Sequence, residues 1–251
     1  MPQREIKISM QPGGSDSVLY FPDGDGPWPG VLYLTDIGGI RPANRESAAK
    51  LSQEGYAVLM PNIFYRNGRA PLLPLLRTLD ADAMKKRIAE LSSPLTPDLI
   101  EQDSSTYIDF LLSQSCTRRG MIGVVGHCFS GKMAMLAAAA RPDKVAVAAS
   151  FHGGGLYTEA PTSPHLALPR IHARLYFAHA INDRSMPAEA IAGLDEALQR
   201  WGGQYESETY KDALHSWTSS DSPVYNPSQA ERAFRKLLEL FDQTLRHPAA
   251  S

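Results

Sequence analysis

The sequence predicts an α/β fold, a single mostly parallel central sheet with helices on both faces. Three observations predict it. Short runs rich in β-branched and aromatic residues alternate with amphipathic or Ala-rich stretches all the way from Val31 to Leu245. Several of the runs are apolar at nearly every position, as strands covered on both faces are. The chain has 251 residues, 43% of them hydrophobic and 21% charged, enough for a sizeable core. No internal repeat or low-complexity linker interrupts the alternation, so residues 1–251 are expected to form one domain.

Residues 18–22 and 30–36 are bounded by Gly, Pro and Asp and read as strands. In residues 41–55 the apolar side chains Ala43, Ala48, Ala49 and Leu51 fall on one face, and Gly55 supplies a helix stop before a strand at 56–61. Asp98, after Pro97, is placed to cap a helix running to about residue 115, with Ile100, Tyr107, Ile108, Leu111 and Leu112 at helical intervals. A strand at 121–126 leads into an Ala- and Met-rich helix at 130–141 that Pro142 ends. Strands at 145–151, 174–180 and 204–210 follow, with a helix at 187–201 opened by a first-turn proline. The last helix begins at Asn226-Pro227 and carries Ala230, Ala233, Phe234, Leu237, Leu238, Phe241 and Leu245 on one stripe. One segment departs from the rhythm: residues 62–97 hold four prolines, several leucines and the basic triplet Lys85-Lys86-Arg87. An excursion of this length is expected to be a lid or to shape a pocket.

Composition excludes several classes of function. Lys and Arg number 25 against 27 Asp and Glu, a net charge of −2, so no charge excess draws the chain to nucleic acid or to an anionic membrane. The longest apolar run, residues 133–140, is far short of the roughly 18 that a membrane span needs, and the first residues form no apolar leader core. A soluble, cytoplasmic chain is expected. No GxGxxG, P-loop or HExxH pattern occurs, so neither cofactor nor metal is expected. Only Cys116 and Cys128 are present, and in a reducing compartment each is either apolar filler or chemistry.

Cys128 reads as chemistry. It sits in Gly126-His127-Cys128-Phe129-Ser130-Gly131, where an apolar strand ends and a helix begins, which is the pattern of a nucleophile elbow with Cys in place of the commoner Ser. The nucleophile of such a turn takes a strained positive φ, so the positions two before and two after it must be small, as Gly126 and Ser130 are. A thiol there also meets the positive end of the helix dipole, which favours thiolate over a free value of roughly 8.5. Asp183 follows the strand at 174–180 and His215 follows the strand at 204–210, giving the chain order nucleophile, acid, histidine. In open parallel sheets, catalytic groups gather at these carboxyl ends of strands. His127, His152 and His179, in or beside strands, read as structural or pocket-lining, and Cys116 as inert.

With these residues in view, the chain resembles the dienelactone hydrolase family of α/β-hydrolases, whose nucleophile is a cysteine in a G-x-C-x-G-G turn. The resemblance also takes in Leu34-Thr35-Asp36-Ile37-Gly38-Gly39, Glu54-Gly55-Tyr56-Ala57-Val58 before Pro61, and His215-Ser216-Trp217. It implies an α/β-hydrolase fold and hydrolysis of activated esters or lactones. It implies that an acid at position 36 modulates the thiol, here the shorter Asp36 in place of the usual Glu. The family's arginine just beyond the histidine is missing from residues 216–221, so Arg66, Arg69 or Arg77 from the excursion would take its part. Arg66 and Trp217 are the expected substrate contacts.

The mechanism this suggests is attack of Cys128 on a carbonyl, with His215 handling protons, Asp183 fixing its tautomer, and a thioester intermediate. The oxyanion would lie on the N–H groups of Phe129 and Ile37. The partner would be a small-molecule ester or lactone. Two competing readings differ in class. Triad glutaminases place Glu two residues after the histidine, where this chain has Trp217. A non-hydrolytic binding or redox-sensing protein would use a reactive Cys128 without needing His215 or Asp183.

Overall fold

The alternation of Val31, Leu32, Tyr33 and Leu34, all buried, shows how the sheet is sandwiched: odd side chains enter one apolar cluster and even ones the other. This computed structural model describes residues 2–69, 72 and 80–247. Among these, eight strands form one sheet: β1 (Gln3–Ser9), β2 (Gly14–Tyr20), β3 (Gly30–Leu34), β4 (Ala57–Pro61), β5 (Ile122–His127), β6 (Val145–Phe151), β7 (Arg174–Ala180) and β8 (Tyr205–Tyr210). Their spatial order is β1-β2-β4-β3-β5-β6-β7-β8. β1 and β2 run antiparallel, and β4 to β8 with β3 between them are parallel.

Helices cover both faces. α1 (Pro42–Gln53) and α6 (Pro227–Phe241) contribute Ala48, Leu51, Ala233, Leu237, Leu240 and Phe241 to one cluster. On the other face, α3 (Pro97–Ser113), α4 (Gly131–Ala140) and α5 (Ala188–Trp201) supply Tyr107, Ile108, Leu111, Met133, Ala137, Leu194 and Leu198. α2 (Ala81–Ser92) starts on an Asp80 side chain that accepts from the Ala83 N–H at 2.8 Å. The fold is that of the α/β-hydrolases, as the sequence predicts.

Some boundaries differ. β1 was not expected: its charged side chains face solvent and only Ile8 is buried, so it carries little hydrophobic signal. The cap of α3 is Thr96 rather than Asp98, its side chain accepting from the Leu99 N–H, which leaves Asp98 in the first turn where its charge suits the dipole. The excursion carries a short 3-10 turn at Tyr65–Asn67 and α2, with Leu72, Leu91 and Leu95 buried. The lid-like part of the expectation, with Arg77, falls on residues 70–71 and 73–79, outside the described residues. No helix among the described residues is long and apolar enough to cross a membrane.

Candidate active site

Every group of the site is delivered by a carboxyl end of a parallel strand. β5 ends in a turn at Cys128–Ser130 that opens directly into α4, and Cys128 takes φ 57°, in the left-handed region. The tightness of this elbow is measurable at Gly126, where a Cβ would lie 2.1 Å from the Ser130 carbonyl oxygen. At Gly131 a Cβ would lie 2.6 Å from the Gly153 Cα, so the loop after β6 presses on the start of the helix. Ser130 fits because it is small and because its hydroxyl works: it accepts from the His127 N–H at 2.9 Å and donates to the Leu34 carbonyl at 2.8 Å, tying the elbow to β3.

His215 lies on the loop between β8 and α6. Its Nε2 is 3.0 Å from the Cys128 Sγ, and its Nδ1 donates to Asp183 Oδ2 at 2.7 Å. The other oxygen of Asp183 accepts from the Ser185 N–H at 2.8 Å and from the Ser185 hydroxyl at 2.7 Å, so the carboxylate cannot swing away from the imidazole without losing both. Thus the structure brings Cys128, His215 and Asp183 into one hydrogen-bonded line. Burial opposes charging of His215, but its hydrogen bonds to Asp183 and Cys128 and their charges outweigh that and push it up to about 10. Burial likewise opposes charging of Asp183, yet the bonds from His215 and Ser185 hold its carboxyl below the usual range.

A second histidine, which the sequence reading left as structural, packs on the first. His152 takes φ 40° at the end of β6, is fully buried, and lies edge-on to His215 at 5.2 Å between ring centroids. Its Nε2 meets the Thr218 hydroxyl at 2.7 Å. Burial holds it well below 6.5, so it is a neutral ring packed against His215. Burial lowers both His127 and His179 to about 4; His179 lies in the core, while His127 stacks on Phe151 beside a cavity.

Four expected site residues are engaged with other partners. Asp36 does not bond to the thiol: its oxygens take Arg41 Nη1 at 2.5 Å and Nη2 at 2.8 Å, and Oδ1 also accepts from the Gly38 N–H at 2.8 Å. The shorter Asp turns back on its own loop. Trp217 is fully buried, stacked on Tyr210 at 5.0 Å and edge-on to His152 at 5.0 Å, so it anchors the His215 loop and offers no surface to a substrate. Arg66 forms a two-pronged pair with Asp103 at 2.6 and 3.0 Å, and Arg69 pairs with Asp16 at 3.0 Å. The buried Asp103 carboxylate neutralises Arg66, whereas Arg69 stays largely exposed in a screened surface pair.

Ile37 lies in the turn after β3, and Phe129 lies next to Cys128 in the turn after β5. In the turn after β3, the Gly38 N–H goes to the Asp36 carboxylate and the Gly39 N–H to the Asp36 carbonyl at 3.0 Å, so the Ile37 amide is the one not drawn onto Asp36. Phe129 follows Cys128, its ring 5.9 Å from that of Phe64 and 4.3 Å from the Lys132 ammonium. Arg41, which no motif singled out, joins Asp36 to Asp221 and Ser219 on the His215 loop. Cys116 is a free, half-buried thiol. Among the described residues no three His, Cys, Asp or Glu side chains cluster as metal ligands.

A model of the dienelactone hydrolase family matches residues 16–245. The carboxymethylenebutenolidase of Rhodococcus opacus is 28% identical over 252 residues, covering 97% of this chain and 94% of that one. Among solved structures, a dienelactone hydrolase-like promiscuous phosphotriesterase from metagenomic libraries superposes with TM-score 0.78 at 18% identity, covering 96% and 97% of the two chains. The dienelactone hydrolase of Anabaena variabilis superposes with TM-score 0.70 at 21% identity, over 98% and 99%.

Proposed function

The chain belongs to the dienelactone hydrolase family, and from that premise we propose that it hydrolyses activated esters or lactones through a Cys128-His215-Asp183 triad and a thioester intermediate. The observation that carries the reading is the unbroken line of contacts, 3.0 Å from Sγ to Nε2 and 2.7 Å from Nδ1 to Oδ2, with the imidazole basic enough to keep a proton to about pH 10.

In this reading His215 holds the proton of the thiol, and Cys128 sulfur attacks the carbonyl carbon as the carbonyl π pair moves onto oxygen. The Phe129 and Ile37 amides receive that charge. Collapse expels the alcohol or enol, which takes the proton from His215, and leaves an acyl thioester on Cys128. Water, deprotonated by His215, then attacks the thioester, and the sulfur leaves as the acid forms. Asp183 stabilises the charged imidazole at each stage.

The leaving group decides the substrate class. A thiolate leaves more readily than an ordinary alkoxide, so the first tetrahedral intermediate of an alkyl ester reverts; enolates and phenolates compete with sulfur and allow it to proceed. Enol lactones and aryl esters are therefore preferred. Turnover of p-nitrophenyl acetate by the parent and by Cys128→Ala tests this: activity should fall by at least about 10³-fold, and undiminished turnover in the variant would overturn the reading.

A further inference from the structure

One guanidinium is forked between two carboxylates that belong to the two loops flanking the nucleophile. Arg41 immediately precedes α1, with an extended backbone, and its side chain is 17% exposed. On one side Nη1 and Nη2 donate to Asp36 at 2.5 and 2.8 Å. On the other Nε donates to Asp221 Oδ2 at 2.7 Å and Nη2 to Asp221 Oδ1 at 3.0 Å, 180 positions along the chain. Nη2 also reaches the Ser219 hydroxyl at 2.8 Å, and Ser219 in turn donates to Asp221 at 3.0 Å. A planar guanidinium meeting two carboxylates edge to edge fixes distance and orientation at once, which a lysine ammonium does not.

We propose that Arg41 is a positioning residue: it fastens the turn that carries the Ile37 amide to the loop that carries His215, so that the oxyanion donor and the proton carrier are set relative to Cys128 as one unit. The inference rests on the triad reading above. Asp36 is the lever on the first loop. Its carboxylate takes the Gly38 N–H, its carbonyl takes the Gly39 N–H at 3.0 Å, and Asn44 Nδ2 donates to the Gly39 carbonyl at 2.8 Å, so locking Asp36 locks the turn around Ile37. Asp221 is the lever on the second, six positions beyond His215 and beyond the buried Trp217 anchor. Without the fork each loop keeps its own internal bonds, but among the described residues nothing of comparable rigidity ties them together at this edge, and Asp36, 7% exposed, is left facing Asp221 with the guanidinium gone.

The test compares reactions that do and do not build an oxyanion. In Arg41→Ala, kcat for p-nitrophenyl acetate should fall about 100-fold, the scale of a misplaced donor, with KM within about threefold. Alkylation of Cys128 by iodoacetamide, which forms no oxyanion, should fall by less than about fivefold, because Asp183 and Trp217 still hold the His215 loop. Added ethylguanidinium ion at millimolar concentration should restore kcat at least about tenfold, a recovery that mere loosening of the fold would not give. Asp221→Asn, at the more exposed end of the fork, serves should Arg41→Ala not fold, and should lower kcat about tenfold with an unfolding temperature near the parent's. Values of kcat within about threefold of the parent in the folded variants, or a loss in Arg41→Ala that ethylguanidinium leaves untouched, overturn the positioning role. A fully active Cys128→Ala would instead overturn the underlying reading, so the two failures are distinguishable.

Discussion

Replacing Asp183 by Asn removes one charge and converts a carboxylate acceptor into an amide while leaving the shape of the site intact. In the parent, burial resists charging of His215, and the contacts from Asp183 and Cys128 overcome it, carrying the imidazole from 6.5 to about 10. Retention of a proton over that interval is worth roughly 5 kcal/mol. Of the contacts that raise it, the hydrogen bond to Asp183, at 2.7 Å, contributes most. Its loss should therefore lower the His215 midpoint by about 2 pH units or more, and turnover by about 10²- to 10⁴-fold through a wrong or mobile tautomer. The stability follows with a definite sign. Stabilisation by a raised histidine is complete below pH 6.5 and disappears as the pH rises through about 10, so the parent should lose stability over this window and Asp183→Asn should lose much less. The assays are an NMR titration of the His215 ring and urea unfolding at pH 6.5 and 10. A His215 midpoint that moves by less than about half a pH unit in the variant, with turnover within threefold, would refute the reasoning.

Three further outcomes are expected. Gly126→Ala must seat a Cβ 2.1 Å from the Ser130 carbonyl oxygen, so the elbow has to shift; the cost is about 3 kcal/mol with a loss of turnover of about 100-fold, and a melting temperature equal to the parent's would contradict it. Burial keeps His179 neutral down to about 4, whereas an unfolded histidine protonates near 6.5, so stability present above 6.5 is lost as the pH falls to about 4, by roughly 3 kcal/mol from this residue. Urea midpoints at pH 7 and 4.5 read that loss, and His179→Gln should lessen it. Arg66→Ala strands Asp103, whose side chain is 4% exposed, beside the Tyr65 hydroxyl at 3.0 Å. About 3 kcal/mol of stability should go while KM for esters stays within threefold, whereas a tenfold rise in KM without loss of stability would restore Arg66 as a substrate contact.

The parts of the fold that were legible are those whose signal is local. β3, β5, β6 and β7 are buried on both faces, so their sequences are mostly apolar, and the elbow declares itself through Gly126 and Gly131, which steric contact forbids to be larger. Asp183 and His215 could be picked out because strand ends can be read and the chain order is limited. What escaped is long-range. Nothing near Arg41 in sequence announces Asp221, and nothing near Arg66 announces Asp103, so Arg41 drew no reading and Arg66, expected to meet substrate, is paired in the fold. Trp217 looked like a site residue because it stands next but one to His215, yet the turn at Ser216, with φ 78°, sends the two side chains to opposite fates, one to the sulfur and one to the core. β1 was silent because an exposed edge strand needs no apolar face.

The most direct measurement is the mass of the intact protein quenched seconds after mixing with p-nitrophenyl acetate, followed by peptide mapping. An added acetyl group on the peptide containing Cys128, removed by neutral hydroxylamine and absent from Cys128→Ala, is the result predicted here. Rapid hydrolysis with the adduct never found on that peptide, and undiminished in the variant, would contradict it.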